Sequence, residues 1–398
     1  MKRLMYAILA AFIAAGAAST AAAATFYVQA GVGDDANEGL GWGPGNALAT
    51  VGAALTKAGL SGEADVINVA AGTYTERISL VSDVTLLGGY PAGGGASRDP
   101  AANETVIDGA SGGSTVEIMS RDNCVLDGFT ITGGSRATGC GGGISVANGS
   151  GLVISGNVIE GNAFTGSVDG GGAGVCLDSA VGAVVRGNRL QNNLSGFDGG
   201  GLYVHYATDA VIEDNVFYGN FASNWGGGIN LYHSSAAVTN NAILSNISTG
   251  PGAGISLYDF STMPAFNNTI AGNISTDSPE GGGVYNQDSA AAIINCIVWN
   301  NAPDQLFAAA GSPIEVSYSD VEGGWAGTGN ISGDPRFSGA DAFIPLLEGS
   351  SPCVNAGTSE GAPERDIRNI HRPWGAAVDM GACEMVLWQP QLPLLLMN

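Results

Sequence analysis

Lysine is almost missing from this chain. Of 398 residues, 13 are Lys or Arg against 36 Asp or Glu, a formal net charge of −23. No positive field is available to gather phosphates, so a nucleic-acid binder resting on a basic patch is excluded. Charged residues make up 12% of the chain, about half the usual share. The six cysteines show neither CxxC nor the Cys/His spacing of a zinc site, which argues against a structural metal of that kind. Beyond the first residues, no apolar run approaches the roughly 18–20 residues that span a bilayer. The stretch Leu392 to Met397 is far too short.

What is abundant is glycine, 64 residues, about twice the usual share. It follows no G-X-Y period, which excludes collagen, and it weakens helix interiors throughout. With 45% hydrophobic residues, the chain has material for a large core in a turn-dense β protein. Lys2 and Arg3 precede an apolar run from Leu4 to Ala18, and Ala22 to Ala24 supply small residues before Thr25. Residues 1–24 are therefore expected to be a secretory signal. Without them, 11 basic residues face 36 acidic ones, a net −25. The mature chain is expected to have no transmembrane segment and to be secreted, extracellular or at the cell surface.

Six glycine-rich segments recur: GGGISV, GGAGVCL, GGGLYV, GGGINL, GAGISL and GGGVYN. Their first apolar residues are Ile144, Val175, Leu202, Ile229, Ile255 and Val284, at intervals of 31, 27, 27, 26 and 29. An N-x-Φ-x-x-N pattern runs in phase with them. Its first column is Asn157, Asn188, Asn215, Asn241, Asn268 and Asn295, and its second Asn162, Asn193, Asn220, Asn246, Asn273 and Asn300. A fixed period in the high twenties means stacked supersecondary units. Strands of four to six residues, separated by one or two turn residues, leave no room for crossover helices. The expected fold is all-β, a right-handed parallel β-helix over residues 25–310. Leu48, Val51, Ala54, Leu55 and Ala58 lie at helical spacing within Asn46 to Ala58 and predict a short N-terminal capping helix. Residues 311–398 are expected to form an irregular C-terminal cap and tail.

The GGG[IVL] and Φ-x-x-N units resemble the repeats of polymorphic outer membrane proteins, a family of exported β-helices. The opening GDDANEGLGWGPGNALATVGAAL, with INVAAGTYTE and LLGGYP, is similar to the start of many secreted pectin-lyase-like β-helices. The segments SYSDVEGG, GTGNISGDPRF, SPCVNAG and VDMGACE resemble the C-terminal part of choice-of-anchor Q proteins. These resemblances imply export and a β-helical architecture more than any one reaction.

Counting from the post-glycine apolar residue places Tyr203 and Tyr285 one step on, and His205, Tyr232 and Tyr258 three steps on. Period-2 alternation turns both columns outward if the anchor points inward. The expected product is an exposed aromatic ribbon able to stack on sugar rings, with Asp178, Asp259 and Asp288 beside it to accept hydroxyl hydrogens. The bland alternative is that tyrosine suits a half-exposed strand. The expected partner is a polysaccharide or cell-surface glycan, not nucleic acid; a protein-binding adhesin would use the same ribbon.

The second function class is a polysaccharide lyase or hydrolase on the same scaffold. Asp178, Arg186 and Arg189 share one unit, and RDIRNIHRP holds His371. Polygalacturonase GHG and RIK signatures and the WIDH and RxPxxR pattern of pectate lyases are both missing, so no catalytic residue is assigned. Asp169, Asp198, Glu280 and Asn224 lie near the glycine runs, where oxygen ligands for calcium can stack. They read better as turn-forming acids, and no metal or cofactor is assigned. Cys353 and Cys383 flank the tail and form the candidate disulfide, while Cys124, Cys140, Cys176 and Cys296 suit small buried positions. Asn193, Asn246 and Asn273 match glycosylation acceptors but fall in the second asparagine column.

Overall fold

The computed structural model describes residues 22–386, except residue 169. Most of the expected leader, Asp169 and the stretch Leu392 to Met397 lie outside the described residues. Each full coil visits four parallel sheets in turn. In one coil, Ile229–Tyr232 enters a nine-stranded sheet, Ala236–Thr239 an eleven-stranded one, Ala242–Leu244 a ten-stranded one and Ile247–Ser248 a six-stranded ribbon. Every strand pairs in parallel with its equivalent in the coils above and below. The molecule is a right-handed parallel β-helix. Its interior is a column of aliphatic side chains, such as Leu202, Ile229, Ile255 and Val284, all fully buried.

Two corners of the coil obey one rule: a residue in the left-handed conformation is followed by a buried asparagine. At the first corner Asp214, Asn240 and Asn267 have φ of 57, 56 and 53°, and Asn215, Asn241 and Asn268 follow them. Glycine, Asn and Asp tolerate this backbone best, which explains the composition of the turns. The buried asparagines form ladders. Asn215 Oδ1 accepts from the backbone N–H (3.0 Å) and Nδ2 (3.0 Å) of Asn188. Its own Nδ2 donates to the Val185 carbonyl (2.8 Å) and to Asn241 Oδ1 (3.0 Å). The whole side-chain capacity is used, each bond contributing about 0.5–1.5 kcal/mol.

The ladders correct the sequence expectation at their upper end. Asn295 and Asn300 are not members. Asn268 N–H instead points at Cys296 Sγ (3.3 Å), and Asn273 N–H donates to Asn301 Oδ1 (3.0 Å). The preceding coil is one residue longer here, so Asn295 and Asn300 fall on the left-handed positions, with φ of 56 and 54°. The acceptor-like Asn193, Asn246 and Asn273 are all buried rungs.

The helix spans Val51–Ser61 and buries Val51, Ala54, Leu55 and Ala58 over the first coil. It begins later than expected because Leu48 bridges to Val28 in the sheet. Thr50 then serves as N-cap, and the Glu76 carboxylate accepts the Val51 and Gly52 N–H groups (2.8 and 2.9 Å).

At the other end the last strand is Asp320–Val321, and Trp325 packs against the end of the core. The chain then runs back along the outer face of the ten-stranded sheet. Phe343, Ile344 and Ile367 cover Val216, Ala242 and Leu244 there. Arg372 is buried, donating to Glu384 Oε2 (2.9 Å), the Gly381 carbonyl (2.9 Å) and Asn240 Oδ1 (3.3 Å). Asn295, displaced from the ladder, clasps this segment by donating to the Thr358 carbonyl (2.8 Å) and accepting the Thr358 N–H (2.8 Å).

Cysteine pairing also differs from expectation. The disulfide joins Cys140 and Cys176, whereas Cys353 and Cys383 are free and buried. Cys353 Sγ is turned to Asp320 Oδ2 (3.0 Å). The bridged pair comes from neighbouring coils, 36 residues apart, which the stacking brings side by side.

Candidate functional site

The site is built on the nine-stranded sheet. Its register pairs Val175, Leu202, Ile229, Ile255 and Val284 in succession, and with them Asp178, His205, Tyr232, Tyr258 and Gln287. Both expected columns therefore stack as read from the sequence. Their exposure does not follow the expectation. His205, Tyr232 and Tyr258 are half-buried on the flank, but Tyr203 and Tyr285 are only 5% and 6% exposed, and the ribbon loses them as open surface. The first glycine of each run curls back over that column. A Cβ on Gly199 would lie 2.8 Å from Tyr203 Cβ, and one on Gly281 2.9 Å from Tyr285 Cβ. Both glycines are left-handed, with φ of 58 and 59°.

Aromatic contact along the flank is continuous. His205 stacks on Tyr203 (ring centroids 5.2 Å) and on Tyr232 (5.3 Å), and Tyr232 lies 4.8 Å from Tyr258. A second row escaped the sequence reading. Tyr206 stacks on His233 at 4.8 Å and 10°, and His233 lies 5.7 Å from Phe260. Tyr206 is 49% and Phe260 75% exposed. Tyr206, His233 and Phe260 have φ of 48, 47 and 63°, a backbone costing about 1–2 kcal/mol for such residues. The available signal was the fourth step after each anchor, where Tyr206 and His233 follow one another in successive coils.

Two His–Asp pairs brace these rows. His205 Nδ1 lies 3.0 Å from Asp178 Oδ1, and His233 Nε2 lies 2.8 Å from Asp259 Oδ2. Asp288 sits at the same corner one coil on, where its N–H donates to Ser312 Oγ (2.6 Å).

Beside the rows lies a cleft of about 450 Å³ whose lining includes Asp178, Asp198, His205, Trp225, Tyr232 and Tyr258. Cys140, held by its disulfide, closes one side. Trp225 meets Tyr258 edge-on at 4.3 Å. Burial pushes the Asp198 carboxyl up to about 6, although Asn224 Nδ2 (2.8 Å) and Trp225 N–H (3.2 Å) donate to it. Burial likewise raises the Tyr203 and Tyr258 hydroxyls. A hydrogen bond with Tyr206, then burial, raises that of Tyr232. The site thus presents neutral phenols, two carboxyl groups and stacked rings.

Other sequence candidates do not converge on it. Arg186 projects from the eleven-stranded sheet, and the Arg189 guanidinium lies 4.9 Å over the Phe343 ring on the covered flank. Three sheets separate what one repeat unit had placed together, so the Arg/Asp arrangement with Asp178 is not formed. His371 lies in the C-terminal segment, bridged to Arg365. Of the calcium candidates, Asp198 and Asn224 are bonded to each other. Among the described residues no group of three or more His, Cys, Asp or Glu side chains is disposed to hold a metal, and no helix is long and apolar enough to cross a membrane.

A family model described as a right-handed beta helix region matches residues 101–270. No curated protein matches the chain. Among solved structures, pectate lyase Pel9A is similar with a TM-score of 0.54 and 14% identity, over 92% of this chain and 98% of that one. An alginate lyase from Paenibacillus sp. str. FPU-7 aligns with a TM-score of 0.38 and 14% identity, over 70% of this chain and 86% of its own. XylC in complex with xylose aligns with a TM-score of 0.45 and 9% identity, over 90% and 98%. At such identities the likeness to Pel9A is one of fold.

Proposed function

We propose that this protein binds polysaccharide along its aromatic flank, at or outside the cell envelope. The observation that carries the reading is the double row of rings, His205–Tyr232–Tyr258 beside Tyr206–His233–Phe260, running across consecutive coils next to a cleft with carboxyl groups. Sugar rings offer C–H faces for stacking and hydroxyls for carboxylates, and this flank supplies both partners at a repeat. The Cys140–Cys176 disulfide supports a location in an oxidising compartment. Retention on a panel of immobilised polysaccharides tests the proposal. The double variant Tyr232→Ala, Tyr258→Ala is expected to lose retention while melting normally. Unchanged retention on every polymer overturns it.

One observation favours hydrolysis as a second reading. Asp198, raised to about 6, and Asp178 line the same cleft, and glycoside hydrolysis needs one protonated and one ionised carboxyl group. New reducing ends that vanish in Asp198→Asn would establish it. A polysaccharide panel showing no new reducing ends would remove it.

A further inference from the structure

We infer that the cleft selects uncharged sugar residues and turns uronates away, a specificity that rests on the glycan reading above. Among the described residues, the cleft lining contains no Lys or Arg. The guanidinium behind its wall, Arg136, is engaged by Glu117 Oε1 (2.9 Å), Ser114 Oγ (2.9 Å) and the Thr138 carbonyl (2.7 Å). Both imidazoles of the aromatic rows are already matched to carboxylates, His205 to Asp178 and His233 to Asp259. A carboxylate on the ligand therefore finds no free cation. It instead meets Asp178, Asp198 and Asp259 around the rings it must stack on.

A neutral sugar meets the opposite situation. Its hydroxyls are donors, and the carboxyl groups are acceptors. The inner wall encloses two further polar residues. Asn230 and Ser256 stack in register between Tyr203 and Tyr285 and are fully buried. Asn230 lies beside Asp198, which lines the cleft. A hydroxymethyl group entering beside Trp225 can donate to Asp198, which lines the same cleft. A carboxylate in the same place is pressed against Asp198.

The decisive comparison uses polymers that differ only in that substituent. Polygalacturonate and alginate are each set beside their carboxyl-reduced derivatives, with arabinan and xylan as further neutral polymers. Affinity electrophoresis is run with the full chain at low and physiological salt, with calcium and with chelator. The expected result is retention of at least one neutral polymer, at least tenfold tighter than any uronate polymer. The double variant Asp178→Asn, Asp259→Asn is expected to narrow that ratio, its melting curve confirming the fold. Uronate binding as tight as neutral binding, with or without calcium, overturns the specificity and leaves the glycan reading standing. Retention of no polymer at all overturns both.

Discussion

Two flanks of the same coil carry aromatic side chains, and they end differently. On the ten-stranded sheet, Tyr218 and Trp299 are packed beneath the returning C-terminal segment, with Phe343 edge-on to Tyr218 at 5.2 Å. On the nine-stranded sheet, His205, Tyr232 and Tyr258 stack on one another and stay half-buried, with Tyr206, His233 and Trp225 set edge-on to them. Aromatics on a solenoid wall are thus not in themselves a binding surface. What separates the flanks is the polar equipment: a buried ion pair and backbone clasps on one, paired His and Asp beside an open cleft on the other.

The largest effect expected from breaking this contrast is on the covered side. Arg372 and Glu384 are each about 1% exposed, and removing one partner of a buried pair costs about 3–5 kcal/mol. Arg372→Ala should lower the urea midpoint sharply, and an unchanged midpoint would show that the segment is not held by this pair.

A titration on the open side comes next. Asp198 is raised from 3.8 to about 6, so the fold favours its protonated form. Its ionisation penalty is absent below about pH 4 and fully present above about pH 6, lowering stability by about 2–3 kcal/mol as pH rises through that window. Asp198→Asn should flatten this part of the stability–pH curve. An identical curve in the variant would contradict the buried carboxyl.

Asn215→Ala tests what the flanks share. It strands the Asn188 amide and the Val185 carbonyl, at about 1–3 kcal/mol, and chemical denaturation should show the loss. The smallest change in stability belongs to Tyr232→Ala with Tyr258→Ala, whose side chains are half-buried. A melting temperature close to that of the parent, together with lost polysaccharide retention, would separate binding from scaffolding most cleanly.

The coil was legible because its corners demand particular residues at a fixed interval. Left-handed positions select Gly, Asn or Asp, and the ladder selects Asn, so the period shows in the letters themselves. The same legibility failed at Asn-Cys in 295–296, where an asparagine on the left-handed position looked like the rung and Cys296 occupied the rung itself. The register of His205, Tyr232 and Tyr258 followed from the period. The burial of Tyr203 and Tyr285 did not, because it depends on glycines four residues upstream curling over them. Tyr206, His233 and Phe260 were hidden by their positive φ, which throws a side chain off the alternation of a strand. Neither the docking of the C-terminal segment nor the Cys140–Cys176 bridge has a periodic signature.

The ladder built on the second asparagine column has a practical bearing on production of this protein. Asn193, Asn246 and Asn273 each head an Asn-x-Ser triplet, yet each is sealed inside the wall with its amide engaged on both sides. A eukaryotic secretory host that transfers oligosaccharide to such triplets before the chain has wound would plant a bulky branched group where no volume exists. Expression in a host without that machinery keeps the winding free of that obstruction.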